Sequence, residues 1–137
     1  MIKQIYSSLW FESKAKDAAE FYCSIFKDGK ILEENSFVVA FEINGTKFIG
    51  INGGPMYHPT PGVSFVVECA DQKEIDHYWE SLTSNGGEES RCGWLVDKFG
   101  FSWQIIPENM GALISNPKAM QAMMQMKKID IEVLKNA

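Results

Sequence analysis

Two stretches of the 137-residue sequence run through the same order of local patterns, and that repetition limits the possible folds more than any single motif does. Residues 5–11 are apolar and rich in aromatics, as a strand would be. Ser13 then stands where it can cap a helix whose apolar positions Ala15, Ala18, Ala19, Tyr22, Ile25 and Phe26 recur at spacings of three and four. Asp28-Gly29 stops that helix. Three β-prone pieces follow at 30–33, 37–43 and 46–51, with Asn44-Gly45 as a two-residue hairpin between the last two. The order then recurs. Residues 63–68 read as a strand, and Asp71 with Glu74 resembles a capping box. The helix behind it shows Ile75, Tyr78, Trp79 and Leu82 on one face and stops at Asn85-Gly86-Gly87. A short piece at 88–91 and apolar runs at 94–96 and 101–106 complete the unit. Phe21-Tyr22 aligns with Tyr78-Trp79 at an offset of 57, and Gly45 with Gly100 at an offset of 55.

The simplest fold with this order is α+β, one domain of two βαβββ modules in tandem. The first module covers about residues 1–53 and the second 63–108. Between them, residues 54–62 form a linker punctuated by Gly and Pro. An arm follows from 109 to 137, in which Asn116-Pro117 opens a Met-rich helix to about Met126 and Asp130 caps a last turn. A net charge of −5, with no basic cluster larger than Lys127-Lys128, argues against nucleic acid as a partner. No apolar run reaches the roughly 20 residues of a membrane span, and no signal-peptide pattern opens the chain. Three scattered cysteines, Cys23, Cys69 and Cys92, suit a reducing compartment, so a cytoplasmic location is expected.

The run at 92–108 carries the best chemical clue. Gly100 closes a short link between two β-prone runs and reads as part of a tight hairpin. In the second run, alternation sets Phe101, Trp103 and Ile105 on one face and Ser102, Gln104 and Ile106 on the other. An amide in the middle of a buried-looking strand either completes a hydrogen-bond network or looks into a cavity.

Together these segments resemble the vicinal oxygen chelate superfamily (glyoxalases, bleomycin resistance proteins and dioxygenases). Within it the chain is most similar to the PhnB-like, 3-demethylubiquinone 3-methyltransferase-like group. The resemblance rests on LWFESKAKDAAEFYCSIF and INGGP in the first module, EIDHYWESL and CGWLVDKFGFSWQIIP in the second, and MQAMMQMKKIDIEVL in the arm. It implies paired modules whose mixed sheet curls around a cleft. It also implies where a divalent metal would sit, because metal-dependent members place His or Glu early in each first strand and midway along each last strand. Carried over by position, those places hold Tyr6, Val63, Ile49 and Gln104. Two of these have no lone pair, and a phenol and an amide are poor ligands. No metal and no cofactor are therefore expected. Only Glu33-Glu34-Asn35-Ser36 remains where the group has a longer Gly-rich segment, so part of the cleft rim is missing.

By the same resemblance the cleft floor would consist of Tyr6, Ser8, Trp10, Ser102 and Gln104, walled by Val63, Phe65 and Val67. An apolar pocket with a few fixed hydrogen-bonding groups is the common build of a small-molecule site. The other reading is a filled core in which Tyr6 and Gln104 satisfy each other. Two functions remain open: a metal-independent module that binds a small organic ligand, or an enzyme. The enzyme would use Tyr6 or Cys92, or a metal site displaced by one strand register. His58 in the linker and His77 on a helix read as surface residues. The methyltransferase label lacks its expected signature, because Gly53-Gly54-Pro55 leads into a Pro-broken loop instead of a helix. A homodimer is expected from open sheet edges and the apolar arm residues Met120, Met123, Met124, Ile129, Ile131 and Leu134. The alternative is an arm that folds back on its own chain.

Overall fold

The computed structural model describes all 137 residues, which divide into two compact units, Met1–Pro59 and Thr60–Ala137. In the first unit, β1 (Ser7–Phe11) leads to α1 (Ala15–Ile25), then β2 (Lys30–Glu34), β3 (Val38–Ile43) and β4 (Thr46–Asn52). The sheet order is β1-β4-β3-β2, with β1 parallel to β4 and the other pairs antiparallel. The expected Asn44-Gly45 hairpin is present, with both residues at positive φ (48° and 79°), as a two-residue turn matched to strand twist requires. Helix α1 lies on one face of the sheet, where Leu9, Phe11, Ala18, Tyr22, Val39, Phe41 and Phe48 are buried. Tyr22, Phe41 and Phe48 stack in series, with ring centroids 6.1 and 5.5 Å apart. Gly50 lets the helix approach, since a Cβ there would lie 3.1 Å from both the Ala15 methyl and the Phe11 ring.

Ser13 does not cap α1. The helix begins at Ala15, and the first free amide, Ala15 N–H, donates to Asn52 Oδ1 at 2.9 Å. A side chain from the end of β4 has taken over the local cap, which nothing in the local sequence around Ser13 signals.

The second unit repeats the topology. β5 (Ser64–Cys69) leads to α2 (Gln72–Thr83), β6 (Glu88–Glu89), β7 (Trp94–Val96) and β8 (Ser102–Pro107), in the order β5-β8-β7-β6. Asp71 caps α2 as expected, its Oδ1 accepting from Glu74 N–H at 2.9 Å, while Glu74 Oε1 accepts from Ala70 N–H. Ile75, Trp79 and Leu82 of α2 are buried with Leu95, Trp103 and Ile105 of the sheet.

The arm adds α3 (Met110–Leu113), which its sequence did not announce, α4 (Pro117–Met124) and α5 (Ile131–Lys135). Asn116 and Asp130 cap α4 and α5 through their side chains. The arm folds back onto its own unit. Cys92 and Gly93 donate their N–H groups to the carbonyls of Met126 and Lys127, both at 2.8 Å. The Gln72 amide then pairs with the arm backbone at both ends, donating to Ile129 C=O at 2.9 Å and accepting from Ile131 N–H at 2.8 Å. Ala119, Ile129 and Leu134 are consequently buried, whereas Met120, Met124 and Val133 stay exposed. No helix is long and apolar enough to cross a membrane.

Candidate functional site

The hairpin joining β7 to β8 is built around Asp97, which is 2% exposed. Its Oδ1 accepts from the N–H groups of Phe99 and Phe101 at 2.8 and 3.1 Å, and its Oδ2 accepts from Trp103 Nε1–H at 2.8 Å. One carboxylate thus closes the turn and fixes the indole beneath it, while Gly100 takes the positive φ (93°) expected of it. With Trp103 pinned on the α2 side, alternation turns Ser102, Gln104 and Ile106 to the opposite, helix-free face.

Register decides which residues join them. Ser64 pairs with Ser102, Val66 with Gln104, Trp94 with Gln104 and Val96 with Ser102. The free face of the second sheet is therefore Ser64, Val66 and Glu68 on β5, Ser102, Gln104 and Ile106 on β8, Trp94 and Val96 on β7, and Glu88 on β6. Gln104 Nε2–H donates to Ser64 Oγ at 2.9 Å across the two parallel strands.

This placement corrects part of the expected site. Phe65 pairs with Trp103, its ring centroid 5.1 Å from the indole, and Val67 pairs with Ile105; both belong to the face under α2. Val63 precedes the strand and is 70% exposed. Ser102 and Gln104 do share a face, and Ser64 and Val66 stand beside them where Phe65 and Val67 were expected. The cause is a one-residue difference in loop length. Residues 12–14 join strand to helix in the first unit, but only 70–71 do so in the second. The helix offset of 57, extended to the strands, is thus one short: Val66 is the counterpart of Ser8, 58 positions on. A one-residue slip exchanges the two faces of a strand.

In the first unit Ser8 pairs with Ile49 and Trp10 with Ile51, so these four share the face away from α1. Tyr6 lies just before β1 with its ring under Lys47 Nζ, 4.2 Å from the centroid. Trp10 is engaged by the linker: its Nε1–H donates to Gly54 C=O at 2.9 Å, and Tyr57 meets its ring edge-on at 4.9 Å. A Cβ at Gly53 would overlap Trp10 Cζ2, so this glycine makes room for the indole. His58 and His77 are exposed, and His77 packs edge-on against Tyr78.

The donor set does not suit a metal. Corrected for register, the four inherited positions hold Tyr6, Ser64, Ile49 and Gln104, and no three His, Cys, Asp or Glu side chains converge anywhere in the chain. Among the thiols, burial, reinforced by the Glu74 and Asp71 carboxylates, pushes Cys69 up to about 12, and burial also raises Cys23. Cys92 sits at φ 58° with its backbone N–H engaged by the arm.

Residues 3–106 match the family described as 3-demethylubiquinone-9 3-methyltransferase. The chain belongs to that family. The match ends before the arm. Among solved structures, a PhnB protein from Bacillus cereus that carries the same label is 28% identical, with a TM-score of 0.68 over 76% of this chain and 99% of that one. The fosfomycin resistance protein FosX of Listeria monocytogenes, solved with Mn(II) and sulfate, is 17% identical, with a TM-score of 0.57 over 81% and 94% of the two chains. A glyoxalase/bleomycin resistance protein from Albidiferax ferrireducens is 12% identical, with a TM-score of 0.54 over 73% and 93%. The latter two show the shared fold. No curated protein matches the chain.

Proposed function

We propose that this PhnB-like protein binds a small organic ligand on the helix-free faces of its sheets and does so without a metal. The observation that carries the reading is the Gln104–Ser64 hydrogen bond, a polar pair set among Val66, Trp94 and Ile106 on the face opposite the one that packs against α2. Apolar surface with a few oriented donors and acceptors suits recognition of a compact, partly aromatic molecule. In the first unit, Tyr6 and Ser8 offer a phenol and a hydroxyl beside the apolar Ile49. Trp10 contributes through packing, its N–H being committed to Gly54. Gln104, Ser64 and Val66 are the contacts proposed for the second unit; Ser102 shares their face but is only 2% exposed, and Val63 and Phe65 are left out because the register sets them apart from Gln104.

The donor chemistry supports a metal-free site, since a serine, an isoleucine, a glutamine and a tyrosine stand where the superfamily's metal ligands would be. The methyltransferase in the family name is a label in this reading. The fold is a pair of βαβββ units, not the doubly wound sheet whose glycine-rich turn approaches a nucleoside cofactor. Gly53 serves the Trp10 ring instead. A cytoplasmic protein that works as a homodimer remains part of the proposal, with Met120, Met124 and Val133 as the apolar surface left for a second copy.

The test is a thermal-shift screen of small aromatic compounds, run with chelator present, on the native protein and on Gln104→Leu. A compound that raises Tm of the native protein but not of a folded Gln104→Leu supports the reading. If Gln104→Leu instead loses about 1–3 kcal/mol of stability and no compound shifts either protein, the amide only satisfies Ser64 and the reading fails.

A further inference from the structure

We infer that the free face of the second sheet selects aromatic ligands that carry no negative charge, an inference that rests on the binding reading above. Three features of this face point to it. The first is the cross-strand row Val66–Gln104–Trp94, in which the amide lies between a valine that is 53% exposed and an indole. Such a row offers a ring a flat apolar bed on either side of one neutral hydrogen-bonding group. Trp94 supplies the aromatic partner, since rings prefer offset or edge contacts with other rings.

The second is charge. Of the nine strand residues on this face, none is Lys or Arg, and the only charged ones are Glu68 at the β5 edge and Glu88 at the β6 edge. An anion laid across the row would lose water without meeting a cation from these strands, and it would approach two carboxylates. An ammonium group would gain from the same carboxylates. The third is the hydrogen-bond pattern. Gln104 spends one amide hydrogen on Ser64, which leaves its carbonyl oxygen and its second N–H for a neutral polar group such as a carboxamide, which can donate to the one and accept from the other.

A matched series with one ring and three charges tests this directly: naphthalene-2-carboxamide, 2-naphthylmethylammonium and 2-naphthoate, titrated while Trp fluorescence is followed at low ionic strength. The amide and the ammonium compound should bind, and the naphthoate should bind about tenfold more weakly or worse. Replacing both rim carboxylates (Glu68→Gln with Glu88→Gln) should remove the advantage of the ammonium compound over the amide and leave amide binding unchanged. Gln104→Leu should weaken all binding that occurs. Naphthoate binding as tightly as the amide would overturn the charge selection while leaving the metal-free binding reading standing. Failure of all three compounds at millimolar concentration would overturn both. Binding that ignores Gln104→Leu would place the ligand off this face and overturn the inference.

Discussion

Replacing Asp97 by Asn alters one atom of the second unit's hairpin and should be costly. The carboxylate has two jobs: Oδ1 takes the Phe99 and Phe101 N–H groups, and Oδ2 takes the Trp103 indole N–H. Asparagine can do only one of them. If its oxygen keeps the turn, its NH2 faces the indole donor; if it flips, the NH2 faces two backbone donors. With the site 2% exposed, water cannot relieve either clash. One unsatisfied buried donor costs about 1–3 kcal/mol, so Asp97→Asn should lose about 2 kcal/mol. For a chain of this length that is a Tm drop of about 6–10 °C. Trp103→Phe removes the competing donor, so the double variant should be less destabilised than the two singles added together, with a coupling of about 1 kcal/mol or more. Guanidinium unfolding of the four proteins measures this. A loss below about 0.5 kcal/mol for Asp97→Asn, or strict additivity in the cycle, would refute the assignment of Asp97 as the organiser of this turn.

Other expectations follow from single contacts. Asn52→Ala should cost about 1 kcal/mol by removing the acceptor of Ala15 N–H, while Ser13→Ala should be neutral in the same denaturation assay. Cys69 is raised by burial and nearby carboxylates to about 12, and an acid whose folded value lies above its unfolded one favours unfolding once the unfolded thiol ionises. Stability should therefore fall as pH rises from about 9 towards 12. In the native protein at pH 8, a thiol reagent should leave Cys69 unmodified. Asp76 is held low by hydrogen bonds from Lys128 and then Gln72, so its contribution to holding the arm is present above about pH 4 and disappears as pH falls through the lowered value. Gln72→Ala should loosen the arm, seen as faster amide exchange at Ile131, whose N–H loses its acceptor.

The repeat made the topology readable, because strand, helix and hairpin signals came twice in the same order. The two tightest turns were also legible, Asn44-Gly45 and Gly100 having no other comfortable use. Long-range substitutions were not. Asn52 caps a helix that starts 37 residues earlier, and no local pattern around Ser13 shows that its place is taken. The candidate face was legible on β8, where alternation alone set Ser102 and Gln104 together, but not on β5. There the helix offset crosses a loop that is one residue shorter in the second unit, so Ser64 and Val66 take the face that the offset assigns to Val63, Phe65 and Val67. The signal was available, since Asp71 marks the start of α2 and Cys69-Ala70 leaves little room before it. For the arm, the sequence leaves two outcomes open, a contact with a second copy or a fold back on its own chain, and Gln72 with the Cys92-Gly93 backbone holds Ile129 and Leu134 on their own unit.

The central claim is that a small organic ligand lies against Gln104 and Ser64, on the face away from α2. Its most direct test is an NMR titration with naphthalene-2-carboxamide in chelated buffer, observing the Gln104 side-chain NH2, the Val66 methyls and the two indole N–H signals of Trp94 and Trp103. The account predicts saturable shifts at Gln104, Val66 and Trp94, with Trp103, held by Asp97 on the other face, nearly still. Shifts centred on Trp103 and Phe65, or none at any of these groups up to millimolar ligand, would contradict it.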